Sequence, residues 1–150
     1  MDIRTAHYSE LSTEQLYTIL RLRAEVFVVE QDCPYQDLDC RDQNAWHVWL
    51  EQDGEVLGCL RVFKFDEIHS QIGRVVTSLK LRGKGYGAML MKRGVEVAEE
   101  KFPGAPILIH AQAYASGFYA KFGFEVSSGE FLEDGIPHVE MIRPSAASAV

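Results

Sequence analysis

The sequence predicts a layered α/β domain (α+β in the order of its elements) with a mixed central sheet flanked by helices. Short β-branched runs alternate with segments of helical periodicity. A glycine-rich segment sits between a strand and a long helix. The elements then read β-α-β-β-β-α-β-α-β-β, too few βαβ repeats for an all-parallel sheet. A chain of 150 residues fits one domain over 1–150, with about 145–150 as a flexible tail. At that length a compact fold buries about two-thirds of its unfolded surface, so no metal or disulfide staple is required.

Taken in order, Ile3 to Tyr8 reads as an edge strand. Ser12-Thr13-Glu14-Gln15 is a capping box, with Ser12 at the N-cap and Gln15 three residues on. Leu16, Ile19, Leu20, Leu22, Val26 and Phe27 follow at helical spacing, which predicts a helix over roughly 13–27. The pattern breaks from Val28 to Asn44, around Pro34, and predicts a long loop or a broken helix; connections of that length in compact domains are often functional. Trp46–Glu51 and Val56–Phe65 read as strands joined by Asp53-Gly54, a pair suited to the positive dihedrals of a tight hairpin. Ile72–Thr77 is a further short strand. Gly85 to Glu100 is helical by pattern and stops at Phe102-Pro103-Gly104. Ile107-Leu108-Ile109 reads as a buried parallel strand, and Ala115–Phe122 as a short helix ending at Gly123. Phe124–Val126 and His138–Ile142 close the domain around the turn Glu133-Asp134-Gly135.

Composition removes several function classes. No apolar run approaches the ~20 residues that span a bilayer, and Met1-Asp2-Ile3-Arg4-Thr5 lacks the start of a secretory signal, so a cytoplasmic location and no membrane partner are expected. With 15 basic and 22 acidic residues, the chain lacks the cationic excess that nucleic-acid binding requires. Cys33, Cys40 and Cys59 form neither a disulfide framework nor, with His47, a standard metal spacing; no metal is expected.

Arg82-Gly83-Lys84-Gly85-Tyr86-Gly87 carries the clearest chemistry. Its glycines permit a tight turn and close backbone approach. The unpaired N–H groups and dipole of the following helix make an anion site of pyrophosphate size, to which Arg82 and Lys84 add charge. A simple tight connection is the alternative reading. A Walker loop is excluded because Tyr86, not Lys-Ser/Thr, follows Gly85, and the glycine spacing is not that of a dinucleotide fold.

Residues 82–87 resemble the Arg/Gln-x-x-Gly-x-Gly/Ala cofactor motif of the GNAT acetyltransferases, and Phe118-Tyr119-Ala120-Lys121-Phe122-Gly123-Phe124 is similar to that family's aromatic signature. Val26–Gln31, Cys33–Asp37 and Glu133–His138 further resemble its ElaA subgroup. The resemblance implies a sheet split between strands 4 and 5 that holds the pantetheine of acetyl-CoA, with main-chain groups at Val75, Val76 and Thr77 on its amides. It implies a pyrophosphate cradle at Arg82, Gly83, Lys84, Gly85, Tyr86 and Gly87. Gln112 stands near where relatives carry an Asn. The implied reaction is acetyl transfer to a primary amine by direct attack in a ternary complex, with Tyr119 protonating the leaving thiolate. A non-catalytic acyl-CoA-binding regulatory module is the alternative.

The base stays open at this stage. Glu30 and His138 are the named candidates, with His110 and His47 behind them, since a histidine titrates near neutrality. Five carboxylates between Glu30 and Asp42 would draw a cationic small-molecule or peptide amine, or form only a solvated loop. A homodimer is left open.

Overall fold

The computed structural model describes residues 1–145. Within them the strands are β1 (Asp2–His7), β2 (Trp46–Gln52), β3 (Glu55–Lys64), β4 (Ser70–Thr77), β5 (Ile107–Gln112), β6 (Glu125–Val126), β7 (Phe131–Glu133) and β8 (Ile136–Arg143). The helices are α1 (Thr13–Arg23), α2 (Tyr86–Lys101) and α3 (Ser116–Ala120). One sheet runs in the order β1-β2-β3-β4-β5-β8-β6, and β7 also pairs with β8. Every pairing is antiparallel except β4 with β5. The parallel step falls where α2 makes the crossover, as a parallel connection demands.

The two faces of the sheet build separate cores. Alternation along β2 sends Val48 and Leu50 to the face covered by α2, where they meet Leu60, Val62, Leu90 and Met91. Trp49 goes to the other face, where α1 supplies Ile19 and Leu22. A Cβ on Gly94 would come within 2.7 Å of Leu60 Cδ2, so glycine in mid-helix lets α2 lie close on β3.

Local chemistry explains most element boundaries. Ser12 accepts from Gln15 N, and Gln15 Oε1 accepts from Ser12 N, completing the capping box that starts α1. Asp53 and Gly54 adopt φ of 52° and 79°, the left-handed pair of the expected hairpin. Two expectations are corrected, and one strand is added. The first helix does not run regularly to 27: it is α-helical to Arg23 and continues as a π-helical stretch over Ala24–Glu30. The 115–122 helix is shorter, a 3-10 turn at Ala113–Ala115 followed by α3. Strand β7 was not expected, because three residues are too few to show a period. Of the tail, Ser145 is buried; residues 146–150 lie outside the described residues.

Most carboxylates of the acidic connection are not free, although much of its surface is exposed. Asp37, Asp39 and Asp42 are locked onto three arginines from three elements. Arg23 at the end of α1 donates from Nε to Asp37 Oδ2 at 3.0 Å and from Nη1 to Asp42 Oδ1 at 2.6 Å. Arg61 of β3 donates to both oxygens of Asp39, at 2.8 and 2.6 Å, and to Asp42 Oδ1 at 3.1 Å. Arg74 of β4 donates to Asp37 Oδ1 at 2.7 Å and to the Asp37 carbonyl at 3.0 Å. Three positive and three negative charges close on themselves, with Arg23, Arg61, Asp37 and Asp42 all buried.

Burial alone would raise the Asp42 carboxyl, but the hydrogen bonds and charges of Arg23 and Arg61 outweigh it and hold the group below the ordinary range. A carboxyl depressed on folding adds stability above its unfolded value of ~3.9, and that stability is lost as pH falls through the lower folded value. Asp42→Asn is expected to cost about 3 kcal/mol at neutral pH, because it leaves buried guanidinium charge uncompensated. Urea unfolding checks this, and the deficit relative to wild type should shrink on acidification below pH ~4.

Candidate active site

Strands β4 and β5 pair only at their beginnings, Ser70 with Ile107 and Gln71 with Leu108. Beyond that they part. On its other edge β4 stays with β3, but the register slips between Gly73, opposite Arg61, and Val76, opposite Cys59. Arg74 sits at the slip with φ of 53°, a left-handed conformation costly for a branchless but bulky residue and held here by its bonds to Asp37. The bulge turns β4 away from β5 and exposes the strand edge from Ile72 to Thr77.

A cavity of about 360 Å³ fills the split. Of the residues expected at the site, Val75, Val76, Thr77, Arg82, Gln112, Tyr119, Glu30 and His138 all line it. Gly83, Lys84, Gly85, Tyr86 and Gly87 lie beyond its lining, at the start of α2. Gly83 and Gly85 have φ of 78° and 83°, so glycine is required there by backbone conformation. Gly85 is the N-cap of α2 and supplies no side-chain bond, leaving the first-turn N–H groups for an outside acceptor. A Cβ at Gly87 would meet Phe118 Cζ at 3.8 Å, so α3 packs directly on the start of α2.

Tyr119 is fixed by rings. Phe118 lies 5.1 Å from it edge-on and Phe124 lies 6.4 Å away. Its hydroxyl makes no hydrogen bond among the described residues. Burial, with a small contribution from Tyr114, pushes its pKa up to about 12. The phenol therefore keeps its proton at neutral pH and faces the cavity as an uncommitted donor.

The candidate bases separate on geometry. Glu30 accepts from Arg82 Nη2 at 2.5 Å, and Arg82 also donates to the Thr77 carbonyl from Nε and Nη2, at 3.3 and 3.0 Å. The carboxylate expected as base and the guanidinium expected on phosphate are thus paired with each other, which ties the π-helical stretch to β4. His47 is buried against the Asp42 carbonyl and does not reach the cavity. His138 is buried, with Nδ1 donating to the Ile136 carbonyl at 2.7 Å and Nε2 3.4 Å from Glu133 Oε2. His110 lies half-exposed in the cavity with Nδ1 3.2 Å from Glu133 Oε1. A carboxylate only accepts, so Nδ1 carries the proton, and Nε2, 4.0 Å from Glu140 Oε2, is the nitrogen left to take up another. The hydrogen bond to Glu133 raises the His110 pKa; burial opposes it, and the charges of Glu133 and Glu140 add to it.

Glu133 was read only as part of a turn, and its bridging position depends on the short strand β7. Phe131, also on β7, lies 5.4 Å from the His110 ring and 6.2 Å from His138, stacking on the latter. The only signal available in the sequence is the turn Asp134-Gly135 that follows β7. Cys33 also lines the cavity, its thiol donating to the Asp134 carbonyl at 3.4 Å. Cys59 is fully enclosed and burial pushes it up to about 12. Among the described residues, no three His, Cys, Asp or Glu side chains are grouped so as to hold a metal ion, and no helix is long and apolar enough to cross a membrane. Glu133→Gln should lower the His110 titration midpoint, read by NMR on the imidazole, because it removes the negative partner while keeping the side chain's shape.

Residues 7–143 match the family model described as an acetyltransferase (GNAT) domain. Protein ElaA of Escherichia coli K12 is 42% identical over 141 residues, covering 91% of this chain and 92% of that protein. The crystal structure of E. coli ElaA superposes with a TM-score of 0.91 at 39% identity, over 95% of this chain and 99% of that one. An acyl-CoA N-acyltransferase from Pseudomonas aeruginosa superposes with a TM-score of 0.90 at 40% identity, over 95% and 98% of the two chains.

Proposed function

Because the chain belongs to the GNAT acetyltransferase family, we propose that it moves the acetyl group of acetyl-CoA to a primary amine by direct attack within a ternary complex. The observation that carries this reading is the uncommitted, proton-bearing Tyr119 hydroxyl in a cavity bordered by the free edge of β4. The pantetheine amides would pair with the edge at Val75, Val76 and Thr77, taking the place of the missing β5 ladder. The pyrophosphate would lie on the first turn of α2, with Gly83 and Gly85 giving the backbone its shape and Lys84 adding charge. Gln112, at the end of β5, borders the same channel. The name of the P. aeruginosa relative, an acyl-CoA N-acyltransferase, agrees with this donor.

Four roles follow for the chain's own groups. A backbone N–H on the β4 edge donates to the thioester oxygen as charge builds on it. His110 Nε2 removes the proton that makes the amine an ammonium, while Glu133 holds the ring by Nδ1. Tyr119 donates to the sulfur as the C–S bond breaks. Glu30 keeps Arg82 and the π-helical wall in position. Transfer through an acyl-cysteine is disfavoured: Cys59 is enclosed, Cys40 lies outside the cavity lining, and the Cys33 thiol is bonded to a carbonyl.

Tyr119→Phe is expected to lower kcat by about 100-fold, the scale of general-acid assistance, while calorimetric affinity for acetyl-CoA stays within about twofold of wild type. His110→Gln should reduce kcat similarly. In wild type, kcat/KM should rise with pH as His110 loses its proton, with a midpoint above that of an ordinary histidine; Glu133→Gln should move this limb to lower pH. Tight acetyl-CoA binding with no thiol release over a broad amine panel would instead fit a non-catalytic binding module.

A further inference from the structure

A second cavity, of about 200 Å³, opens on the far side of His110 and Glu133. Ile72, Gly73, Arg74, His110 and Glu133 line both cavities, so the second continues the first past the point where the amine would lose its proton. At about 30 Å³ per water in the liquid, it has room for roughly seven waters, or a short chain ending in one polar group.

The charges around it are nearly all spent. Arg61 and Arg74 are held by Asp37, Asp39 and Asp42, and Asp39 is itself consumed by Arg61. Glu133 faces His110 and His138. Arg41 is the exception. Its guanidinium forms no ion pair among the described residues and lies 5.2 Å from the Phe63 ring centroid and 5.8 Å from that of Phe65. Both rings line the cavity, and their contact with the cation limits its freedom without occupying its N–H donors.

The backbone at Arg41 is equally constrained. Its N–H donates to Asp39 Oδ1 at 3.2 Å, and Asp39 is anchored to Arg61. Cys40, between them, takes φ of 65°, a conformation kept only where neighbours over-determine it. The Gln71 carboxamide also lines this cavity and has no side-chain hydrogen bond among the described residues. A guanidinium that forms no ion pair shares this lining with an unbonded carboxamide, and the two carboxylates there, Asp39 and Glu133, are already held by Arg61 and by His110 and His138, so the pair is a receptor for an anion.

We infer that the acceptor is a primary amine carrying an anionic group, a carboxylate above all, at the end remote from the nitrogen, and that Arg41 with Gln71 receives that group. The inference rests on the acetyltransferase reading, since it takes the amine to lie at His110. It reverses the cationic acceptor expected from the acidic connection, in which Asp37, Asp39 and Asp42 are neutralised internally. A polyamine would bring positive charge to Arg41 and be repelled. An amine with a terminal carboxylate leaves neither Arg41 nor its own anion unpaired.

The test uses the full chain with a series of straight-chain amino carboxylates, their terminal amides, the matching amino phosphates, and diamines. Acetyl-CoA affinity and thiol release are measured together. The expected result is kcat/KM at least tenfold higher for an anionic acceptor than for its amide, carried by KM, with diamines weakest. Arg41→Gln should collapse that anion-to-amide ratio toward one, and Arg41→Lys should restore part of it. Better turnover of phosphates than carboxylates would identify the anion as phosphate and keep the inference. Equal turnover of amides and carboxylates, or a ratio unmoved by Arg41→Gln, would overturn it while leaving acetyl transfer intact. Failure to bind acetyl-CoA would remove the underlying reading instead. If acetyl-CoA binds but no amine turns over, direct titration of the loaded protein with the amino carboxylates decides: binding lost in Arg41→Gln supports the receptor, and no binding overturns it.

Discussion

A closed lattice of three arginines and three aspartates fixes the 31–44 connection against the sheet. Burying one guanidinium unpaired would cost several kcal/mol, so Arg23, Arg61 and Arg74 oblige the 31–44 connection to bring Asp37, Asp39 and Asp42 inward. A segment without regular ladder bonds thereby becomes a fixed wall, pinned to α1, β3 and β4 together. Tyr35 donates to Asp37 Oδ1 at 3.1 Å, and the Arg41 backbone is bonded to Asp39. Both take their positions from the lattice.

The split between β4 and β5 depends on a different device. The bulge at Arg74 spoils the pairing of β4 with both neighbours at once, and the lattice compensates its left-handed backbone through Asp37. The split between β4 and β5 and the wall made by the 31–44 connection therefore meet at one residue. Disturbing Arg74 is expected to alter both halves of the site, whereas Tyr119 and Arg41 each belong to one.

How much of this could be read in advance varied with the kind of interaction. Local chemistry was legible: the Ser12 capping box, the Asp53-Gly54 hairpin and the positive dihedrals of Gly83 and Gly85 depend on near neighbours in sequence. The parallel strand is legible in the apolar run Ile107-Leu108-Ile109, whereas the split follows only from the resemblance carried by 82–87 and 118–124. The lattice was not legible, although Arg61 inside the apolar run Cys59-Leu60-Arg61-Val62-Phe63 was a sign that a buried charge needed a partner. Its partners are 19 and 22 residues away, and no periodicity announces them. The same limit explains why Glu30 was favoured over His110. Composition counted carboxylates in the loop, but only tertiary contacts show that Glu30 is bound to Arg82 and that Glu133 holds His110.

His110 and Tyr119 line one cavity, and the proposed reaction accordingly has amine and thioester present at once. Initial-rate kinetics with acetyl-CoA and an amino carboxylate varied against each other test that claim most directly. Direct attack predicts intersecting double-reciprocal lines and no acetyl group left on the protein when acetyl-CoA is supplied alone. Parallel lines, with a stable acetylated cysteine recovered by mass spectrometry, would contradict it.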